Sequence, residues 1–168
     1  VSREIERKYL LSAAADDVLK RQDVTFVSRE YMYQTYLAYA GDQELRIRKI
    51  VAPDGAVRFT HTFKAGHGMS REEIEYAISE DIYEQLLRRL NAVPLEKVRT
   101  TVESGGLRCE IDEYKQVQLA VVEVEFTDED AARAFQPPAW FGRELGAEEE
   151  FRNKTLWLKL QTPTFAQG

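Results

Sequence analysis

Arg3-Glu4-Ile5-Glu6-Arg7-Lys8-Tyr9-Leu10-Leu11 is the stretch from which the rest of the chain can be read. As a β-strand its side chains alternate between two faces, with Glu4, Glu6 and Lys8 on one side and Ile5, Tyr9 and Leu11 on the other. Same-face neighbours on a strand lie about 7 Å apart, so these charges form a short polar row. A helix would make Glu4 and Lys8 an ordinary i,i+4 pair, but Tyr9-Leu10-Leu11 breaks that period. Taken alone, the row fits a solvated sheet face with harmless charges.

The same alternation recurs down the chain. Glu44, Arg46 and Arg48 share a face against Leu45 and Ile47, and Thr60, Thr62 and Lys64 share one against Phe59, His61 and Phe63. Glu73 and Glu75 alternate with Ile74 and Tyr76, and Lys97 and Arg99 with Val98 and Thr100. Glu110 and Asp112 are set against Cys109 and Ile111, and Glu123 and Glu125 against Val122, Val124 and Phe126. Residues 24–40, rich in Tyr, Phe, Thr and Val, predict further strands. Turns fall at Pro53-Asp54-Gly55, at Gly66 and Gly68, and at Gly105-Gly106.

Helices are expected between these strands. One runs over 12–20 with Ser12 as its N-cap. Another starts at Ser79-Glu80-Asp81 and carries an apolar stripe of Ile82, Tyr83, Leu86, Leu87 and Leu90. A third runs from Thr127-Asp128 to Phe135 and ends at Pro137-Pro138, and a fourth covers 154–160 with Leu156, Trp157 and Leu160. No repeat or linker interrupts the pattern, so a single domain over 1–168 is expected, with a loose tail from about residue 162.

With 43% hydrophobic residues in a chain of 168, there is enough apolar surface for a real core. The net charge of −6 argues against a general nucleic-acid binder but allows cations to gather locally around a small anion. No apolar run approaches the ~20 residues needed to span a bilayer, and the N-terminal residues show no signal-peptide pattern. Cys109, the single cysteine, cannot form an intrachain disulfide and fits a reducing compartment, so a cytoplasmic location is expected.

Two features argue that the charged faces point inward. The charges are sorted by strand: Arg46/Arg48 and Lys97/Arg99 are basic pairs, while Glu73/Glu75, Glu110/Asp112 and Glu123/Glu125 are acidic. A long antiparallel sheet also tends to curl and close, which removes its edges, and a barrel of about eight strands has room for side chains or one small ligand. Its apolar outer face would then be covered by the helices. Inside, charge pairs would interact by about 4 kcal/mol at 4 Å and an effective ε near 20. Unpaired buried charge is costly, so such an interior makes sense where cations meet a polyanion and carboxylates meet a metal.

Glu4-Ile5-Glu6-Arg7-Lys8 has the form ExExK and resembles the signature of the CYTH, or triphosphate tunnel metalloenzyme, family. Gln34-Thr35-Tyr36-Leu37, Arg46-Ile47-Arg48, Thr62-Phe63-Lys64, Arg71 with Glu73 and Glu75, Lys97-Val98-Arg99, Asp112, Glu123-Val124-Glu125 and Trp140-Phe141-Gly142 follow in the family's order. The resemblance runs from Glu4 to about Leu158 and is nearest to short bacterial members that hydrolyse inorganic triphosphate. It implies a mainly β fold with flanking helices, a closed eight-stranded antiparallel barrel forming a charged tunnel. It also implies that Lys8, Arg46, Arg48, Lys64, Lys97 and Arg99 bind the triphosphate, as forked Arg donors and Lys point charges can. Glu4, Glu6, Asp112, Glu123 and Glu125 correspond to the metal-binding wall, whose hard oxygens suit Mg²⁺ or Mn²⁺. Glu6, Lys8, Lys97 and Tyr36 are the implied catalytic set, with Glu73, Glu75 and Lys154 secondary.

The chain departs from the family at Cys109, where an aromatic residue is common, at Gln118-Leu119 in place of Gly-Leu, and at Val1-Ser2-Arg3 in place of His-Phe. The last departure weakens a class IV adenylate cyclase reading. His61 falls on the face opposite Lys64 and reads as packing. His67 sits in a glycine-flanked loop without metal-ligand companions, and Cys109 reads as a buried inert thiol. Two function classes follow: a metal-dependent hydrolase of inorganic, nucleoside or thiamine triphosphate, and a module that binds polyphosphate or nucleotide without turnover. An acidic set alongside the cations favours the hydrolase, because anion binding alone needs no carboxylates.

Overall fold

The alternating strands pair into one continuous antiparallel ring. The structure is a computed structural model, and it describes residues 2–146 and 148–161. Eight strands, β1 (Ser2–Leu10), β2 (Val24–Ala40), β3 (Gln43–Val51), β4 (Val57–Ala65), β5 (Ser70–Ile78), β6 (Leu95–Ser104), β7 (Leu107–Tyr114) and β8 (Ala120–Glu125), close in the order β1-β5-β4-β3-β2-β6-β7-β8. Among the described residues four α-helices accompany them, α1 (Ala15–Val18), α2 (Glu80–Leu90), α3 (Glu129–Ala134) and α4 (Asn153–Gln161), with a single 3-10 turn at Glu149–Phe151. The expected loose tail from residue 162 lies outside the described residues. No helix among the described residues is long and apolar enough to cross a membrane.

Local chemistry explains the closures. Ser104 pairs with Leu107 across Gly105-Gly106, whose φ values of 59° and 76° give the doubly left-handed turn that follows the twist of a hairpin. Beyond Ile5, β1 loses β5 as a partner. Its free edge is taken by the chain after Trp140: Gly142 N donates to Leu10 O at 2.8 Å, Leu10 N to Arg143 O at 2.8 Å, and Leu145 N to Lys8 O at 2.9 Å. A Cβ on Gly142 would sit 2.7 Å from Leu10 O, so only glycine permits this approach. Arg7, on the outer face of β1, clamps the same segment through both oxygens of Glu144 at 2.8 Å and donates to the carbonyls of Ala132 and Phe135.

The core has three parts. Outside the barrel, Ile5, Tyr9, Val102, Cys109, Ile111, Val122 and Val124 pack beneath α1, α3 and Trp140. α2 lays Tyr83 on Ile47 and Phe59. At one end of the barrel, Leu156 and Trp157 of α4 close over Tyr36, Leu95, Tyr114 and Val121.

Several expectations need correction. Residues 24–40 form a single 17-residue strand, with bulges between Phe26 and Ser28 and between Tyr36 and Ala38. Ser12 does not cap α1. Leu11 N bonds to Ala120 O at 2.9 Å and keeps the chain extended there, so the helix starts after Ala14. In α2 the expected stripe packs on β3 and β4 through Tyr83, which is buried, and Leu86 and Leu87, which are half-buried, while Ile82 and Leu90 stay exposed. Helices do not cover the whole outer face: Ile74 and Tyr76 of β5 are 44% and 53% exposed.

Cys109 is buried, and that burial, with Glu110 nearby, pushes its thiol up to about 11. The thiolate is the reacting form. At pH 8 the folded protein should therefore be alkylated by iodoacetamide at least about 10²-fold more slowly than in urea. Equal rates, followed by mass spectrometry, would place the thiol at the surface.

Candidate active site

Barrel closure turns the charged rows into opposing walls of one cavity of about 470 Å³. β3 and β4 supply the basic wall. Arg46 lies opposite Thr62 in register, Arg48 opposite Thr60, and Lys64 opposite Glu44. β1 and β8 supply the acidic wall, with Glu6 paired in register to Glu125 and Lys8 to Glu123. β5 adds Glu73 and Glu75, and β6 and β7 add Arg99 and Glu110. Period-two alternation is enough to aim these groups inward, since their neighbours on each strand point outward.

The charges organise into local networks. Lys64 Nζ lies 2.6 Å from Glu4 and 3.3 Å from Glu73. Burial would raise the Glu4 carboxyl, but Lys64 and hydrogen bonds with Glu6 and Glu73 hold it well below the usual range. Burial and the contact with Glu4 push Glu73 up to about 6. Glu6 is pushed well above its ordinary value by burial and by the neighbouring Glu123 charge. Burial, then Arg46 and Arg99, bring Arg48 down to about 10. Thr62 Oγ1 donates to Glu75 at 2.7 Å.

Lys8 reaches across to the C-terminal segment, donating from Nζ to Phe151 O at 2.8 Å, with Glu123 at 3.8 Å. Tyr36 lines the same cavity, its ring tilted on Trp157 with centroids 5.5 Å apart. Lys154 sits at the rim, 5.4 Å above the Tyr39 ring.

Two of the sequence candidates lie behind the wall. Lys97 and Asp112 have 0% side-chain exposure and meet at 2.7 Å. Asp112 also accepts from Arg99 Nε and Nη2, each at 2.8 Å, while Arg99 Nη1 pairs with Glu110. Burial would raise Asp112, yet Arg99 and Lys97 hold it far below the carboxylate range; burial draws Lys97 down to about 7 against the pull of Asp112. Arg99 is the member of this trio that faces the cavity.

The chain that folds into this barrel matches the family model of the CYTH domain over residues 2–154. The chain belongs to the CYTH family. Among its relatives is the inorganic triphosphatase of Nitrosomonas europaea, 34% identical over 161 residues, covering 94% of this chain and 98% of that protein. The inorganic triphosphatase of Acetivibrio thermocellus is 30% identical over 162 residues, covering 93% and 94%. A crystal structure of an inorganic triphosphatase superposes with a TM-score of 0.62 at 31% identity, covering 94% of this chain and 95% of that one. This CYTH chain therefore shares the closed tunnel fold of solved triphosphatases.

The CYTH cavity also contains groups that the strand-by-strand reading left aside. Glu110 was visible as a same-face neighbour of Asp112, but only the register shows that it, and not Asp112, borders the cavity. Arg71 donates from Nε to Gly66 O at 3.1 Å and from Nη2 to Asp42 O at 3.3 Å, tying two loops at the cavity rim, where His67 also sits. No sequence period marks such a tie. His61 packs outside against Tyr76.

The acidic wall has the chemistry for a hard divalent cation. Its donors are carboxylate oxygens, and the raised Glu6 beside Glu123 records like-charge crowding that such a cation would relieve. Among the described residues, no three acidic, His or Cys groups are already drawn together around one point.

Proposed function

We propose that this protein is a divalent-metal-dependent hydrolase that converts inorganic triphosphate to pyrophosphate and phosphate. One observation carries the reading: Arg46, Arg48 and Lys64 share a single cavity with Glu6, Glu123 and Glu125. The relatives named inorganic triphosphatase support it. Arg46, Arg48, Lys64 and Arg99 would clamp the phosphate oxygens, and Lys8 would bind the end nearer the acidic wall. Glu4, Glu6, Glu123 and Glu125 would hold Mg²⁺ or Mn²⁺, with Asp112 and Lys97 acting from behind through Arg99. When bound, the metal would neutralise phosphate charge and lower the cost of forming hydroxide from water. The chain's own work is positioning and charge stabilisation: it needs no protein nucleophile. Glu6 or Glu73 would accept the proton of the attacking water, and Tyr36 would donate to a phosphate oxygen.

The cavity also ranks substrates. Among the described residues charged side chains dominate its lining, and they form no apolar slot for a purine. Inorganic triphosphate carries charge at both ends and can engage cations along its whole length, whereas pyrophosphate is too short to reach the full set. Phosphate release should show kcat/KM for inorganic triphosphate well above that for ATP, pyrophosphate as a poor substrate, no turnover in excess EDTA, and recovery on adding Mg²⁺ or Mn²⁺. Full activity in EDTA would remove the metal from the proposal. Equal efficiency on ATP, or cyclic AMP as product, would replace the substrate.

A further inference from the structure

Gln34 is a polar side chain of the barrel interior to which the proposed reaction gives no task. It lies on β2 between Arg48 of β3 and Leu95 of β6 in register, is 0% exposed, and does not border the cavity. Arg48 Nε donates to its Oε1 at 2.8 Å. A guanidinium can only donate, so this bond fixes which end of the amide is oxygen. The amide nitrogen then points the other way and donates to the Tyr36 hydroxyl oxygen at 2.7 Å. With its oxygen accepting from Gln34, Tyr36 keeps its own proton for a different acceptor. Tyr36 borders the cavity, where Arg46 and Arg48 also face.

We propose that Gln34 is a positioning residue that sets the Tyr36 hydroxyl as a hydrogen-bond donor to the bound polyanion and couples it to Arg48. The inference rests on reading the cavity as a triphosphate site. The direction of the relay follows from valence: Arg48 can only give, so the amide receives there and gives to Tyr36, and Tyr36 gives into the cavity. Burial raises the phenol pKa and keeps that proton in place at neutral pH. A carboxylate at position 34 would accept from both neighbours and turn the Tyr36 proton away from substrate. A buried amide that only filled its own hydrogen bonds would affect stability without linking the two residues kinetically.

The test is a double-mutant cycle on inorganic triphosphate hydrolysis, with thermal melts of every variant. Gln34→Met and Tyr36→Phe should each lower kcat by about 10-fold or more, and the double variant should be little worse than either, because both remove one donor. Gln34→Met should also raise KM, since Arg48 loses its tether. Gln34→Glu should lose at least as much kcat as Gln34→Met, and if it does not fold, the Met/Phe cycle decides alone. Independent, multiplying losses, or wild-type kcat in Gln34→Met, would overturn the assignment. Failure of the wild type to hydrolyse triphosphate would count against the substrate reading. Donation by Tyr36 to the polyanion is then read from its ¹³Cζ resonance, identified with Tyr36→Phe, with and without inorganic triphosphate in EDTA. A ligand-induced shift in the wild type that is lost in Gln34→Met supports the relay, and the same ligand-induced shift in both, or none in the wild type, overturns it.

Discussion

Glu6→Gln should lower triphosphate turnover by about 10²-fold or more, the loss typical of removing one electrostatic group from a transition state. The protein should melt at the same temperature or higher. Glu6 projects inward from the middle of β1, in register with Glu125 and close to Glu123. Burial and the Glu123 charge already disfavour its ionised form, so replacing it with an isosteric amide relieves repulsion and leaves no cavity. The same change removes a hard oxygen ligand and a proton acceptor from the site. Glu125 is exposed at the end of β8, and Glu125→Gln should cost less. Steady-state kinetics and a thermal melt on one preparation read both halves of the prediction. A stable Glu6→Gln protein with wild-type kcat would take the acidic wall out of the chemistry.

Asp112→Ala should behave in the opposite way, losing about 3–5 kcal/mol of folding stability, as when one partner of a buried ion pair is removed. Asp112 is the shared anchor for Lys97 and Arg99, with no side-chain exposure, so its loss takes away the counter-charge that Lys97 touches in the barrel wall. Lys97→Met is milder, at about 1–3 kcal/mol, because Asp112 keeps its two bonds from Arg99. Urea titrations of the two variants and the wild type measure the difference. Equal losses, or none for Asp112→Ala, would show that the trio does not hold the wall together. Activity should fall in both, since Arg99 is the member that faces the cavity.

The fold was legible because its signal is local. The strands β1, β3, β5, β6, β7 and β8 alternate charged with mainly apolar side chains and form where that alternation places them, whereas β2, which carries Tyr36, has no such alternation and runs as one long strand where several were expected. The misreadings came where distant contacts override local preference. Ser12 has the chemistry of an N-cap, but Leu11 is held extended against Ala120. The outer row Ile74 and Tyr76 looks like helix-covered core, but the helices pack elsewhere on the barrel.

The site divides along the same line. The sequence by itself determined which residues share a face, which strands are basic and which acidic, and, through the ExExK pattern and its companions, the family. The shared faces follow from the two-residue period of a strand and need no knowledge of neighbours, while the family rests on resemblance of the motifs. Only the tertiary structure decided depth and partnership: that Glu110 borders the cavity while Asp112 and Lys97 lie behind it, and that Arg71 ties the rim. It also decided that the Gln34 amide stands between Arg48 and Tyr36. How far a side chain reaches, and which oxygen it meets, depends on register and barrel closure. Both are set by strands far apart in the chain, so no local pattern of residues encodes them.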